Sequence, residues 1–220
     1  MSMEKRVLAV FPHPDDESFG VSGTLAMYAA SGAEVAYACL TLGEMGRNMG
    51  FPPFANRVTL PGFRRRELEA SCQAIGIRDL RLLGFMDKTI EFEDPDLLDE
   101  RIGAVVREVK PELVITFYPG FSVHPDHDAC GAAVVRVIGR IPRGERPVVH
   151  AIAFSHGCEQ ALGKPDVIRN VRPYLKQKFA SIRAHRSQFY VPGISDGGKK
   201  ISRELEERFG TERFWTYRFD

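Results

Sequence analysis

The chain has 220 residues, of which 44% are hydrophobic and 27% are charged, and its formal net charge is +1. This balance is that of an ordinary globular protein. It excludes a strongly basic surface overall, and no apolar run approaches the roughly 18 to 20 residues needed to cross a bilayer. We therefore expect a soluble protein with no nucleic acid or membrane partner and with a small molecule as its ligand.

Strand-like runs alternate with helix-like stretches through most of the chain. The strands are predicted at residues 7–11, 34–41, 80–84, 112–118 and 148–154. The helices are predicted at residues 22–30, 62–75, 95–110, 128–138 and 173–188. This alternation is typical of an α/β fold with a mostly parallel sheet and helices on both faces. We expect residues 1–220 to form one domain.

Two stretches break the alternation. Residues 43–61 are rich in Gly, Pro and Asn and are interpreted as a long loop, and loops of this length tend to be functional. Residues 187–220 contain a Gly-rich turn, a charged helix (KKISRELEERFG) and an aromatic end (FWTYRF). This tail is expected either to pack at the edge of the sheet or to mediate contacts between subunits.

The four cysteines are widely spaced and form no CxxC pair: Cys39, Cys72, Cys130 and Cys158. Each lies among apolar residues, where a free cysteine behaves as a small hydrophobic side chain. We therefore expect a reduced, cytoplasmic protein.

Polar clusters follow two of the predicted strands. The first strand ends in HPDDE at residues 13–17, and the strand at 112–118 is followed by HPDHD at residues 124–128. Either cluster alone could be a turn that leads into a helix, since Asp is a favoured N-cap residue. Because ligands of open parallel sheets bind beyond the carboxyl ends of the strands, the two clusters together favour one shared site.

The clusters supply a metal-ligand set. His13, Asp16 and His127 provide two imidazoles and one carboxylate, which matches the three protein ligands of a catalytic Zn²⁺ site with one position open for water. The proline after the first histidine of each cluster restricts the backbone before it and helps to turn these side chains toward one point.

The remaining side chains of the clusters suit catalysis. Asp15 would lie beside the metal and take a proton from the activated water. His124 could stabilise the oxyanion of a tetrahedral intermediate or protonate a leaving amine. Asp126 could hold that imidazole in its charged form, because a nearby carboxylate raises the pKa of a histidine.

These motifs resemble the LmbE/PIG-L family of zinc-dependent amide hydrolases, which deacetylate N-acetylglucosamine conjugates. The resemblance covers HPDDE, TLGEMG, RRRELEASCQAIGI, GFMDKT, HPDHD and AHRSQ. It implies a Rossmann-like fold, the zinc ligands and base given above, and a homo-oligomer. One departure is Ser122, where some relatives carry a tyrosine that contributes to the oxyanion hole.

Further blocks, among them GEMGRNMG, TFYPG and VHPDHDACG, resemble the members that remove acetate from N-acetylglucosaminyl-L-malate in bacillithiol biosynthesis. A related enzyme acting on another N-acetylglucosamine or thiol conjugate remains an alternative, as does a metal-bound sugar-recognition protein without turnover. A pure binder has no use for Asp15, His124 and Asp126, and their presence favours catalysis.

The resemblance also implies three substrate-binding residues. Arg64 matches the arginine of the RxxE motif and is the first candidate to bind the carboxylates of malate, although it could equally lie on a solvated helix face. Asp87 matches an aspartate that contacts sugar hydroxyls, or it could bond its own turn. His185 could line the pocket or be a buried structural histidine.

Overall fold

The computed structural model describes residues 4–196 and 201–219. Seven strands form its sheet: β1 (Arg6–Phe11), β2 (Glu34–Cys39), β3 (Asp79–Leu82), β4 (Leu113–Phe117), β5 (Val148–Ile152), β6 (Val167–Asn170) and β7 (Thr211–Thr216). Eight α-helices connect or flank them: α1 (Asp16–Gly20), α2 (Ser22–Ala30), α3 (Leu60–Ile75), α4 (Pro95–Val109), α5 (Pro125–Gly139), α6 (Cys158–Leu162), α7 (Leu175–Ala184) and α8 (Arg203–Phe209). Two short 3₁₀ turns lie at Ile90–Phe92 and Arg172–Tyr174.

The strand order is β3-β2-β1-β4-β5-β7-β6. The first five strands in this order run parallel, and β7 pairs antiparallel with both β5 and β6. The predicted mostly parallel sheet is thus confirmed. The chain order reverses between β1 and β4, and crevices at such switch points are where open α/β sheets bind ligands. Both polar clusters follow these two strands.

Helices cover both faces of the sheet, as the sequence predicts. Successive side chains of a strand point to opposite faces, so Val7 and Ala9 of β1 join a core shared with α2 and α3. Leu8 and Val10 join a second core shared with α4 and α5. Because both faces are buried, β1 is a continuous apolar run rather than an alternating one.

The sequence analysis missed the two antiparallel strands and the short helices α1 and α6. The aromatic tail forms β7, which lies between β5 and the edge strand β6 and not at the edge itself, where one of the two expected outcomes placed it. Part of the predicted Gly-rich turn and charged helix falls on residues 197–200, which lie outside the described residues, and the helix itself begins at Arg203. No described helix is long and apolar enough to span a bilayer.

A carboxylate from β7 caps α2, the second helix after the first polar cluster. Glu212 accepts hydrogen bonds from the backbone N–H groups of Gly23 (2.9 Å) and Thr24 (2.7 Å) in the first turn of α2. It also forms a buried ion pair with Lys178 of α7. The negative charge satisfies amide groups that the helix itself cannot pair, so β7, α2 and α7 are joined at one point.

Helix α5 lies directly against the end of β4. A Cβ atom at Gly131 would overlap the backbone carbonyl oxygen of Phe117 and lie 3.1 Å from its carbonyl carbon. Glycine is therefore required there for close approach, and this contact positions the helix that begins at the second polar cluster.

We expect Gly131→Ala to destabilise the protein by about 1 to 3 kcal/mol, because the methyl group forces backbone atoms apart. Thermal unfolding measures this loss. Gly62→Ala is the matched control, since Gly62 is also helical and the only atom near an added Cβ is a side-chain nitrogen of Arg66 at 3.9 Å. That control should be neutral or slightly stabilising. Equal melting temperatures for the two variants would contradict the close packing of α5 on β4.

Candidate metal centre

The two polar clusters meet beyond the carboxyl ends of β1 and β4. Asp16 begins α1, and Pro125 begins α5. His124 is the N-cap of α5, where its Nδ1 accepts a hydrogen bond from the backbone N–H of Asp126 at 3.1 Å. Proline at the first helical position suits this start, because that position needs no backbone donor.

The donor groups of three side chains face one another at this edge. His13 Nδ1 lies 3.3 Å from His127 Nε2 and 3.4 Å from Asp16 Oδ2. His127 Nε2 lies 3.1 Å from Asp16 Oδ1. The structure therefore brings together the three residues that the sequence analysis selected as metal ligands.

The other ring nitrogens of both histidines are occupied. His127 Nδ1 donates to the backbone carbonyl of Ser122 at 3.1 Å. His13 Nε2 lies 3.1 Å from carboxylate oxygens of both Asp126 and Asp87. In the neutral rings the protons therefore sit on these nitrogens, and the two nitrogens that face each other carry lone pairs.

Neighbouring charges shift the pKa values of His13 and Asp16. Burial alone would lower the pKa of His13, but the charge of Asp16 and the bonds to three carboxylates hold it well above its usual range. Burial alone would raise the pKa of Asp16, whereas the charges of His127 and His13 hold it well below its usual range. The pocket thus favours a positive charge among these donors.

A tetrahedral cation fits this arrangement. Ligand bonds of about 2.1 Å correspond to donor separations of roughly 3.4 Å, close to the distances given above, and a cation supplies the positive charge that the pocket favours. His13, His124 and Asp126 form a second group of possible donors. That group is less suitable, because both oxygens of Asp126 and Nδ1 of His124 already have hydrogen-bond partners.

The side chain of Asp126 faces His13. The sequence analysis predicted His124 as its partner, and this prediction is wrong. Its Oδ2 bonds His13 Nε2 and accepts from the backbone N–H of Lys88 at 2.7 Å, and its Oδ1 accepts from that of Ile90 at 3.2 Å. Such a carboxylate fixes the tautomer and the orientation of a metal-binding histidine. Its side chain therefore positions His13.

Asp87 reinforces this arrangement. Its Oδ1 lies 3.1 Å from His13 Nε2, and its Oδ2 accepts from the backbone N–H of Met45 at 2.8 Å. It also lines the cavity at the site, so a contact with a sugar hydroxyl stays a prediction.

The surroundings of His124 favour its neutral form. Burial lowers its pKa first, and the charges of His13 and His127 lower it further, outweighing the opposite effect of Asp126. This direction opposes the predicted charged form. Because Nδ1 accepts from the backbone, the proton of the neutral ring lies on Nε2, which makes that atom a hydrogen-bond donor.

Asp15 is held beside the donor set by Arg64. Its Oδ2 accepts from the Arg64 guanidinium at 2.6 Å, and that guanidinium also donates to the backbone carbonyls of Gly43 and Pro14. Burial raises the pKa of Asp15 and Arg64 opposes this effect, with a net value of about 6. Arg64 is 3% exposed, so it does not lie on a solvated helix face.

Glu17 is the functional residue that the sequence analysis left without a role. Its Oε2 accepts from the backbone N–H of Asp15 at 3.0 Å, and Asp15 has a left-handed φ of 99°. Its Oε1 bonds His185 Nε2 at 2.7 Å and Ser71 Oγ at 2.5 Å. Glu17 is the final residue of the HPDDE motif, so the motif already pointed to it. Its hydrogen-bond partners are visible only in the folded chain. Glu17 stabilises a backbone conformation that non-glycine residues rarely adopt.

His185 does not line the cavity. It is fully buried and paired with Glu17, so the predicted substrate contact does not fit its position, whereas the structural alternative does. Burial lowers the pKa of His185, but the charge of Glu17 raises it to a net value above the usual range.

A cavity of about 300 Å³ opens over the donor set. Besides the predicted residues, its lining includes Met45, Arg47, Lys88 and Gln188. These side chains come from the loops after β2 and β3 and from the segment after α7. All four lie in blocks that carry the family resemblance, GEMGRNMG, GFMDKT and AHRSQ, but only the fold shows that these loops meet around the site.

Comparison with known proteins identifies relatives of the chain. Residues 8–138 match the PIG-L family, described as GlcNAc-PI de-N-acetylase. A protein of Bacillus cereus (strain ATCC 14579) named probable N-acetyl-alpha-D-glucosaminyl L-malate deacetylase 2 is 48% identical over 221 residues, covering 99% of this chain and 100% of the relative. A protein of the same name from Bacillus subtilis (strain 168) is 44% identical, covering 99% of this chain and 100% of the relative.

A solved structure shares the fold. The N,N'-diacetylchitobiose deacetylase from Pyrococcus horikoshii superposes with a TM-score of 0.73 at 23% identity, covering 97% of this chain and 84% of the other. At this identity the likeness supports the fold alone.

We expect Asp126→Asn to weaken metal binding by about 10- to 100-fold, because His13 loses a charged acceptor that orients its ring. Competition between the protein and a chromophoric chelator for Zn²⁺ measures this change. Asp96→Asn, which removes the same charge from an exposed site on α4, is the control. Unchanged affinity in Asp126→Asn would contradict the positioning role.

Proposed function

Because the chain belongs to the PIG-L family, we propose that it is a metal-dependent hydrolase that removes acetate from an N-acetylglucosamine conjugate. Two full-length relatives, at 48% and 44% identity, carry the name N-acetyl-alpha-D-glucosaminyl L-malate deacetylase. We propose the same conjugate, an intermediate of bacillithiol biosynthesis, as the substrate. Residues 1–220 act as a single deacetylase domain.

The proposed cofactor is Zn²⁺. Two imidazole nitrogens and one carboxylate, from His13, His127 and Asp16, are the ligands that catalytic zinc sites use. When bound, the metal supplies Lewis-acid activation of water and of the amide carbonyl.

Asp15 is the proposed general base. Its carboxylate lies next to Asp16, and its Oδ1 has no hydrogen-bond donor among the described residues, whereas Oδ2 is fixed by Arg64. It accepts the proton that the attacking water loses, and general-base help of this kind contributes about 10²- to 10⁴-fold in rate.

His124 is the proposed donor to the oxyanion. A neutral ring with its proton on Nε2 donates a hydrogen bond to the oxygen on which negative charge develops during attack on the acetamide carbonyl. This tautomer favours the oxyanion role over that of an acid that starts in the charged form. Asp126 acts by positioning His13.

One observation carries the proposal. A carboxylate that is not needed as a ligand is held beside the donor set, in a backbone conformation that costs free energy and that Glu17 stabilises. A sugar-binding protein without turnover has no use for this carboxylate, whereas a hydrolase needs it.

The proposed working compartment is the cytoplasm. All four cysteines are free, and three of them are buried, as expected for a protein of a reducing compartment. The partner is a small sugar conjugate, and assembly as a homo-oligomer stays a prediction.

We expect the zinc-loaded protein to release acetate from N-acetylglucosaminyl-L-malate and to stop when a chelator removes the metal. Asp15→Asn should lower kcat by about 10²- to 10⁴-fold without loss of bound zinc, because Asp15 is not a ligand. Acetate assays and metal analysis measure both effects, and Asp94→Asn, an exposed position, serves as the control. Turnover that persists through chelation and in Asp15→Asn would refute the proposal.

We expect Arg64→Gln to lower kcat by about 10²-fold and to change KM little, because Asp15 loses the partner that fixes it. Arg65→Gln on the same helix removes an exposed pair with Glu69 and should leave both constants unchanged. If Arg64 instead binds the malate carboxylates, KM will rise while kcat is retained.

A further inference from the structure

We propose that Arg47 and Lys88 form a cationic subsite that selects substrates with a dicarboxylate aglycone. This inference rests on the proposed function, because it assigns the part of the conjugate that these residues bind. Both residues line the cavity over the metal donors, and both are exposed.

The charge on Arg64 is already compensated. Its guanidinium is paired with Asp15 and bonded to two backbone carbonyls. Arg47 and Lys88, in contrast, form no ion pair with any residue in the described ranges 4–196 and 201–219. They are the basic residues in the cavity lining whose charge is left for a ligand.

The backbone that carries Arg47 is fixed on both sides. The carbonyl of Gly46 accepts from Arg57 Nη1 at 2.9 Å. Asn48 donates its side-chain amide to the backbone carbonyl of Gln188 at 2.7 Å, and the Gln188 amide donates back to the carbonyl of Asn48 at 3.1 Å. The loop is thus tied to the segment after α7, and only the Arg47 side chain is free to adapt.

Lys88 is fixed in the same manner. Its backbone N–H donates to Asp126 at 2.7 Å, and its φ of 67° is left-handed, which is unusual for a residue with a side chain. The carboxylate oxygen of Asp126 that bonds His13 therefore also fixes the backbone of this lysine. Both cations stand on backbones that are ordered before substrate binds, which lowers the entropic cost of recognition.

The chemistry of the two side chains matches a dicarboxylate. An arginine fork binds one carboxylate through two parallel N–H donors, and a lysine ammonium attracts the second as a point charge. A neutral aglycone gains neither interaction. Selection of this kind weakens at high ionic strength, because both cations are exposed.

Two substrates distinguish an effect on this subsite from an effect on the deacetylation step itself. The first is N-acetylglucosaminyl-L-malate, and the second is methyl N-acetylglucosaminide, which has the same amide and no carboxylate. The proteins are the zinc-loaded wild type, Arg47→Gln, Lys88→Gln, the double variant and Arg101→Gln. Arg101 is an exposed arginine of α4 outside the cavity lining and controls for the loss of charge.

We expect each cavity variant to lower kcat/KM for the malate conjugate by about tenfold, mainly through KM, and the double variant to lower it further. Activity on the methyl glycoside and the melting temperature should stay unchanged, as should all values for Arg101→Gln. The difference between wild type and double variant on the malate conjugate should shrink as salt is raised from 50 to about 500 mM.

The inference is overturned if the cavity variants affect both substrates equally, or neither. If the wild type hydrolyses neither substrate, the proposed function fails instead, and calorimetric titration with the malate conjugate decides the subsite. Tighter binding to the wild type than to the double variant would then support the subsite, and equal binding would overturn it.

Discussion

The rest of the site depends on two ring nitrogens, His13 Nδ1 and His127 Nε2, that face each other across 3.3 Å. The other nitrogen of each ring has its own hydrogen-bond partner. His127 is fixed by a backbone carbonyl and His13 by carboxylates, so neither ring can turn its lone pair away. The carboxylate of Asp16 lies beside them, and the charges of the two histidines hold its pKa below the usual range. Such a group of donors favours a positive charge at its centre, and its fixed side chains give the folded chain part of its affinity for a metal as preorganisation.

A second layer of buried polar groups explains why these donors hold their positions. Asp126 bonds His13 and two backbone amides of the loop after β3, and Glu17 bonds the backbone of Asp15 together with His185 and Ser71. Each buried carboxylate has several donors, which offsets the cost of removing its charge from water. Asp15, which faces the cavity, is therefore supported by another carboxylate of the HPDDE motif, Glu17, which does not.

The local patterns of the sequence were sufficient to predict the five parallel strands, the helices between them and the meeting of the two clusters. Apolar runs indicate the buried strands. Because ligands of open parallel sheets bind beyond the carboxyl ends of the strands, clusters that follow two such strands are expected to meet. The partner of Asp126 was not predictable, because sequence proximity favours His124 whereas the fold turns the carboxylate to His13. Arg64 was expected to bind substrate, and its pairing with Asp15 depends on how α3 packs. The strands β6 and β7 were missed, because they pair across long sequence separations that no local pattern records.

The cap on α2 has a consequence for how the protein is made. Glu212 reaches Gly23 across 189 residues of chain. During synthesis from the N-terminus, the first amides of α2 have no carboxylate partner until Glu212 has emerged. The proposed metal ligands are therefore synthesised well before the residue that caps α2. A product terminated before Glu212 retains His13, Asp16 and His127 but lacks the hydrogen bonds that cap this helix.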